Sequence, residues 1–170
     1  GKQFVSFAGA TLFSLENKLS AVNRKPHSVI GSSCIGASIV GGICNNSGGA
    51  LIERGPAYTE LALYAQINRD GQLELVNDLG LELGNDPKTI FRNLQNGNYD
   101  KNKSMPLNAK ASDTEYHLEV RKVDLDTPSR YNSNKKFLNG ASGCAGKLAV
   151  FAVRLDSFEA YDSEATFYLG

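Results

Sequence analysis

Phe4-Val5-Ser6-Phe7-Ala8-Gly9-Ala10-Thr11-Leu12-Phe13-Ser14-Leu15-Glu16-Asn17-Lys18-Leu19-Ser20-Ala21-Val22 is the stretch whose reading decides the fold. Val5, Ala8, Leu12, Leu15, Leu19 and Val22 recur at steps of three and four, the spacing of one helical face. Asn23-Arg24-Lys25-Pro26 follows, basic residues and then a proline, which ends a helix. Gly9 costs about 1 kcal/mol inside a helix relative to alanine. Thr11 or Ser14 is therefore the alternative N-cap, with residues 4–8 extended. A two-strand reading, 3–8 and then 11–15, stays open beside the helix.

From about residue 58 onward the apolar residues mostly alternate, as in strands. Leu61, Leu63, Ala65 and Ile67 share one face, Asn68-Arg69-Asp70-Gly71 makes a turn, and Leu73 and Leu75 continue the face. A short helix follows, with Asp86 as N-cap, Pro87 at its first position, Ile90, Phe91 and Leu94 inward, and Gly97 past its end. Residues 116–125 read as a strand. Residues 147–155 read as a central strand because both faces are apolar, and 165–169 read as a last strand. The expected fold is α+β in one domain over 1–170: an N-terminal helix packed on an antiparallel sheet of about five or six strands. The alternative is an all-β sandwich.

Eighteen basic and eighteen acidic residues cancel over 170 positions, which removes the usual electrostatic case for nucleic acid or an anionic membrane. No signal peptide and no apolar run near the ~20 residues of a membrane span is visible. Residues 28–50 carry small and β-branched side chains and no charge, a composition that permits close backbone approach or a hairpin turning at Gly41-Gly42.

No catalytic, nucleotide-binding or metal motif stands out, and no cofactor or metal is called for. Glu115, His117, Glu119 and Arg121 share one face of the expected strand, where a solvated face with ion pairs outweighs a metal or acid–base cluster. The glycine-rich segments 31–49 and 139–146 lack the phosphate-loop pattern. Cys144 reads as a buried thiol near the start of a strand rather than a nucleophile. Cys34 and Cys44 flank a short glycine-bearing stretch, and a disulfide there closes a loop of about ten residues, contributing roughly 2–3 kcal/mol. Calcium in the loops at 98–100 and 124–129 yields to ordinary turn chemistry.

Two polar loops, 98–113 and 126–146, are the candidate binding surface, with Tyr99, Asp100, Arg130, Tyr131 and Asn132 as its residues. The helix-on-sheet arrangement with a cysteine-closed loop resembles the architecture of pilin-like subunits. That resemblance implies a non-enzymatic, exported, structural or adhesive subunit at the cell surface or outside the cell. The basic amino end (Lys2, Lys18, Arg24, Lys25) and acidic carboxyl end (Asp156, Glu159, Asp162, Glu164) suit head-to-tail self-association. The alternatives are a carbohydrate- or protein-binding module working through the two loops, and a hydrolase of unknown substrate.

Overall fold

A computed structural model describes residues 2–27, 36–101, 108–126, 134–163, 165 and 167–170. The chain opens with strand β1 (Gln3–Phe7), turns through Ala8 to Ala10, and enters helix α1 (Leu12–Ser20). Thr11 is the N-cap: its Oγ1 accepts from Ser14 N at 3.2 Å. The helical stripe thus holds from Leu12 to Leu19, which are buried, while Val5 belongs to a strand. Thr11→Ala removes this side-chain acceptor at the helix start and is expected to cost about 1 kcal/mol, read as a lower urea midpoint at unchanged slope.

Strand β1 pairs antiparallel with β5 (Ala149–Asp156), Gln3 opposite Asp156 and Phe7 opposite Ala152. The other side of β5 pairs with β3 (Ala62–Ile67), which pairs in turn with β4 (Leu73–Asn77). The order is β1-β5-β3-β4. The central position expected for residues 147–155 is therefore realised, and both faces of β5 are apolar for that reason. A bulge in the β3–β5 ladder moves the partner from Ala152 at Leu63 to Val150 at Tyr64.

Helix α2 (Ile39–Cys44) lies on the same side of the sheet as α1. Its N-cap is Ser38, whose Oγ accepts from Gly41 N at 2.9 Å. The two helix starts are tied together, Leu12 N donating to Ala37 O and Ile39 N to Ala10 O. Leu12, Leu15, Leu19, Ile39 and Ile43 pack there on Ala62, Tyr64, Val153 and Leu155. The opposite face buries Leu63 and Ala152 against Leu79, Leu81, Leu83 and helix α3 (Pro87–Asn96). The end signals predicted for α3 are in place: Asp86 Oδ1 accepts from Thr89 N, Pro87 begins the helix, and Gly97 closes it at φ +67°, while Ile90 and Leu94 are buried and Phe91, expected inward, is exposed at the edge of that face. The hairpin turn is as expected too, Asn68 Oδ1 accepting from Asp70 N and Gln72 N.

The fold is α+β, as expected, and not an all-β sandwich. The strands divide differently, into one four-stranded sheet and a separate pair made by β2 (Arg24–Lys25) and β6 (Phe158–Glu159). Arg24 anchors that pair, its guanidinium donating to Ser157 Oγ at 2.9 Å and to the Ser157 carbonyl. Three expectations fail. Gly41 and Gly42 lie inside α2 rather than in a hairpin turn, because Ser38 caps a helix and Ile39, Val40 and Ile43 bury their side chains at helical spacing. Residues 116–119 form a helical turn, α4 (Tyr116–Glu119), because Tyr116 and Val120, four apart, pack together on Tyr58 and Ile52. Residues 165 and 167–169 pair with no strand; Phe167, Tyr168 and Leu169 are exposed.

Candidate functional site

Two concave or polar regions stand out once the sheet is assembled. The first is a cleft of about 580 Å³ lined by Lys2, Gln3, Phe4, Val5, Leu81, Tyr99, Lys101 and Arg154. It forms where the start of β1 and the end of β5 meet the layer that carries Leu81. Arg154 Nε donates to Gln3 Oε1 at 2.8 Å and Nη1 to the Leu79 carbonyl at 3.1 Å. Gln3 is held in turn, its Nε2 donating to Asp156 Oδ1 at 2.9 Å, and Ser112 Oγ donates to Asp156 Oδ2 at 2.6 Å. This chain of bonds fixes the guanidinium before any ligand arrives. Three cations over an apolar floor, with no carboxylate in the lining, favour an anionic group.

The second region is a buried polar seam. Here the two glycine-rich segments, read separately from the sequence, lie against one another. Gly143 N donates to Ile43 O and Ala145 N to Cys44 O, both at 3.0 Å. Ser142 Oγ donates to Thr59 O at 2.7 Å and accepts from Thr59 N at 3.1 Å, while Thr59 Oγ1 donates to Arg154 O at 2.6 Å. Asn46 is fully buried at φ +45°, its Nδ2 donating to Phe137 O at 2.7 Å. Gly143 is required beside it, because a Cβ there would sit 2.4 Å from Leu138 Cδ2 and 2.8 Å from Asn46 Nδ2.

Three buried side-chain atoms have no hydrogen-bond partner among the described residues: His27 Nδ1, Asn46 Oδ1 and Asp113 Oδ2. Burial holds the His27 imidazole at about 4, so it is neutral at physiological pH. Burial, and after it the neighbouring Cys144 thiol, pushes the Cys44 thiol up to about 12. Tyr58 is raised by burial and by the carboxylate of Glu60, to which its hydroxyl donates at 2.8 Å.

Of the expected binding residues, Tyr99 lines the cleft and packs on the second core, and Asp100 beside it is exposed on the adjoining loop. Arg130, Tyr131 and Asn132 lie outside the described residues, as does Cys34, so the Cys34 and Cys44 pairing falls there too. Cys44 and Cys144 are free thiols. The expected shared strand face of Glu115, His117, Glu119 and Arg121 does not exist, because α4 sends them around a helical turn. Among the described residues no group of three or more metal-ligating side chains converges. No described helix is long and apolar enough to cross a membrane. The seam was missed because its halves are far apart in the chain; the paired signal was a cysteine in each of two glycine-rich, uncharged runs.

No protein-family profile matches the chain. Individual relatives do. The chain is 53% identical over 170 residues to a quinone-dependent D-lactate dehydrogenase of Escherichia coli (strain K12). It is 54% identical over 168 residues to the protein of the same name from Haemophilus influenzae, and 46% identical over 169 residues to that from Corynebacterium glutamicum. These alignments take in 99–100% of this chain but 29–30% of each relative, so the chain spans about a third of the length of the curated relatives it matches. They overturn the expectation of a non-enzymatic structural or adhesive subunit, since proteins sharing about half the residues along this chain carry the name of a metabolic enzyme. The secreted, extracellular and cell-surface placement, which rested on that expectation, falls with it.

Proposed function

We propose that this chain is part of an enzyme that oxidises D-lactate and delivers the electrons to a quinone. The observation that carries the reading is the 46–54% identity sustained over 99–100% of the chain against three relatives of that one name. The reaction takes the hydrogen of the hydroxyl-bearing carbon with its electron pair and the proton of the hydroxyl, leaving a 2-oxo acid, and the quinone gains the two electrons and two protons as a quinol. Chemistry of this kind ordinarily runs through a bound organic redox group, with the protein supplying orientation and electrostatics. The described residues fit a framework role in it. A four-stranded sheet presents an uncharged, close-packed seam in which Asn46 Oδ1 has no hydrogen-bond partner among the described residues.

The test uses the full-length protein as its gene encodes it. D-lactate is expected to drive reduction of a soluble short-chain quinone, with L-lactate at least tenfold slower and NAD without effect as acceptor. Equal rates with the two enantiomers, or no quinone reduction by D-lactate, reject the reading.

A further inference from the structure

The seam holds a feature that the proposed dehydrogenation does not use: two free thiols from distant parts of the chain, side by side. Cys44 ends α2, and Cys144 sits in the turn that leads into β5. The backbone sets their spacing. Gly143 N bonds to Ile43 O and Ala145 N to Cys44 O, so Cys144 is bracketed by two hydrogen bonds aimed at Cys44 and its neighbour. These two bonds set the Cys144 backbone against that of Cys44, the proximity that a disulfide's Cα span of about 4.4–6.8 Å requires. The Cys144 thiol is near enough to Cys44 to add to the rise that burial causes in it.

We propose that Cys44 and Cys144 form a reversible dithiol–disulfide pair, oxidised by small peroxides, that staples the end of α2 to the entrance of β5. A peroxide takes the half-buried Cys44 sulfur to the sulfenic acid and one water leaves. The Cys144 sulfur then attacks it, the S–S bond forms, the S–O bond breaks and a second water leaves. Two thiols have lost two electrons and two protons, and the O–O bond of the peroxide has been reduced. A small dithiol reverses the step.

The surroundings select the class of oxidant. Cys144 is buried, so a protein disulfide or another bulky partner does not reach it. Cys44 is held as the protonated thiol, which makes the pair slow, a latch for sustained oxidation rather than a fast sensor. The staple fixes the two glycine-rich segments against one another beside Asn46, whose Oδ1 is buried with no partner among the described residues. The inference stands on this geometry and is independent of the dehydrogenase reading.

The experiment treats the full-length native protein with hydrogen peroxide, blocks remaining thiols with iodoacetamide, and maps unreduced peptides by mass. The expected product is a single cross-linked peptide joining Cys44 to Cys144, two hydrogens lighter than its parts and released by dithiothreitol. It persists in Cys34→Ser, disappears in Cys144→Ser, and raises the unfolding midpoint of the oxidised protein by several degrees. A linkage from Cys34 to either thiol overturns the proposal. So does alkylation of both Cys44 and Cys144 after peroxide treatment, or their conversion to sulfinic acid without a cross-link.

Discussion

Gly55→Ala is expected to leave little folded protein. Gly55 closes the 3₁₀ turn Ile52–Arg54 at φ 72°, ψ 175°, a combination open essentially only to glycine. Backbone strain there costs an L-residue on the order of 1–3 kcal/mol. A methyl group also has nowhere to go: its Cβ would stand 2.4 Å from the carbonyl oxygen of Asp113 and 3.9 Å from Tyr116 Cβ. No rotamer relieves a clash between two backbones, and Pro56, fully buried next door, restricts the chain from the other side. The combined loss is about 4 kcal/mol or more, a large share of an ordinary domain's stability of roughly 5–15 kcal/mol. Gly71→Ala separates the two causes. It has φ +76° in the hairpin turn but nothing within 4 Å of an added Cβ, so only the left-handed penalty of about 1–2 kcal/mol applies. Urea unfolding of both variants checks the difference. A Gly55→Ala protein within about 1 kcal/mol of the parent would show that the packing of the turn against Asp113 yields freely.

That contact also shows where the chain was legible as sequence and where it was not. The ends of helix α3 were readable because each of their signals is local: a capping aspartate, a proline at the first position, a glycine after the last. The hairpin was readable because Asn68, Asp70 and Gly71 make their turn with their own backbone. The opening stretch was readable only from Thr11 onward. Val5 falls on the helical stripe by spacing alone, but pairing along the whole edge of β5 outweighs the single turn of helix that residues 4–8 would add. Residues 116–120 failed for the same kind of reason in reverse. Five residues fit both periods, and the contact of Tyr116 and Val120 with Tyr58 decides for the helix. The sites were less legible than the elements. The cleft needs Gln3, Tyr99 and Arg154 from three separate segments. The thiol pair needs Cys44 and Cys144, whose meeting depends on strand order and on no local pattern. The contact of Asp113 with Gly55 is long-range in the same way.

Stability is expected to fall by about 3 kcal/mol between pH 6.5 and pH 4 on account of His27 alone. His27 is 3% exposed, its Nδ1 has no hydrogen-bond partner among the described residues, and burial lowers its folded value from 6.5 to about 4. In the unfolded chain the imidazole takes up a proton below about 6.5, whereas in the folded protein it resists until about 4. Within that window the unfolded state binds more protons, so stability rises with pH. The contribution is fully present above pH 6.5, declines as pH falls through the window, and is wholly lost below 4. A shift of this size corresponds to about 3 kcal/mol at about 1.4 kcal/mol per unit. The position matters because Pro26, fully buried, and His27 lead directly from β2 into the uncharged run, and a cation placed there would be desolvated with its Nδ1 unpartnered among the described residues. His27→Leu fills the site with an apolar side chain that does not titrate. Its unfolding free energy is expected to be nearly flat across that window relative to the parent, whatever its value at pH 7. Urea midpoints taken every half unit from pH 4 to 7.5 make the comparison. A parent and a His27→Leu protein that lose stability in parallel over that range would show that the imidazole takes its proton in the folded state, and that the buried Nδ1 is met by a group able to stabilise the charge.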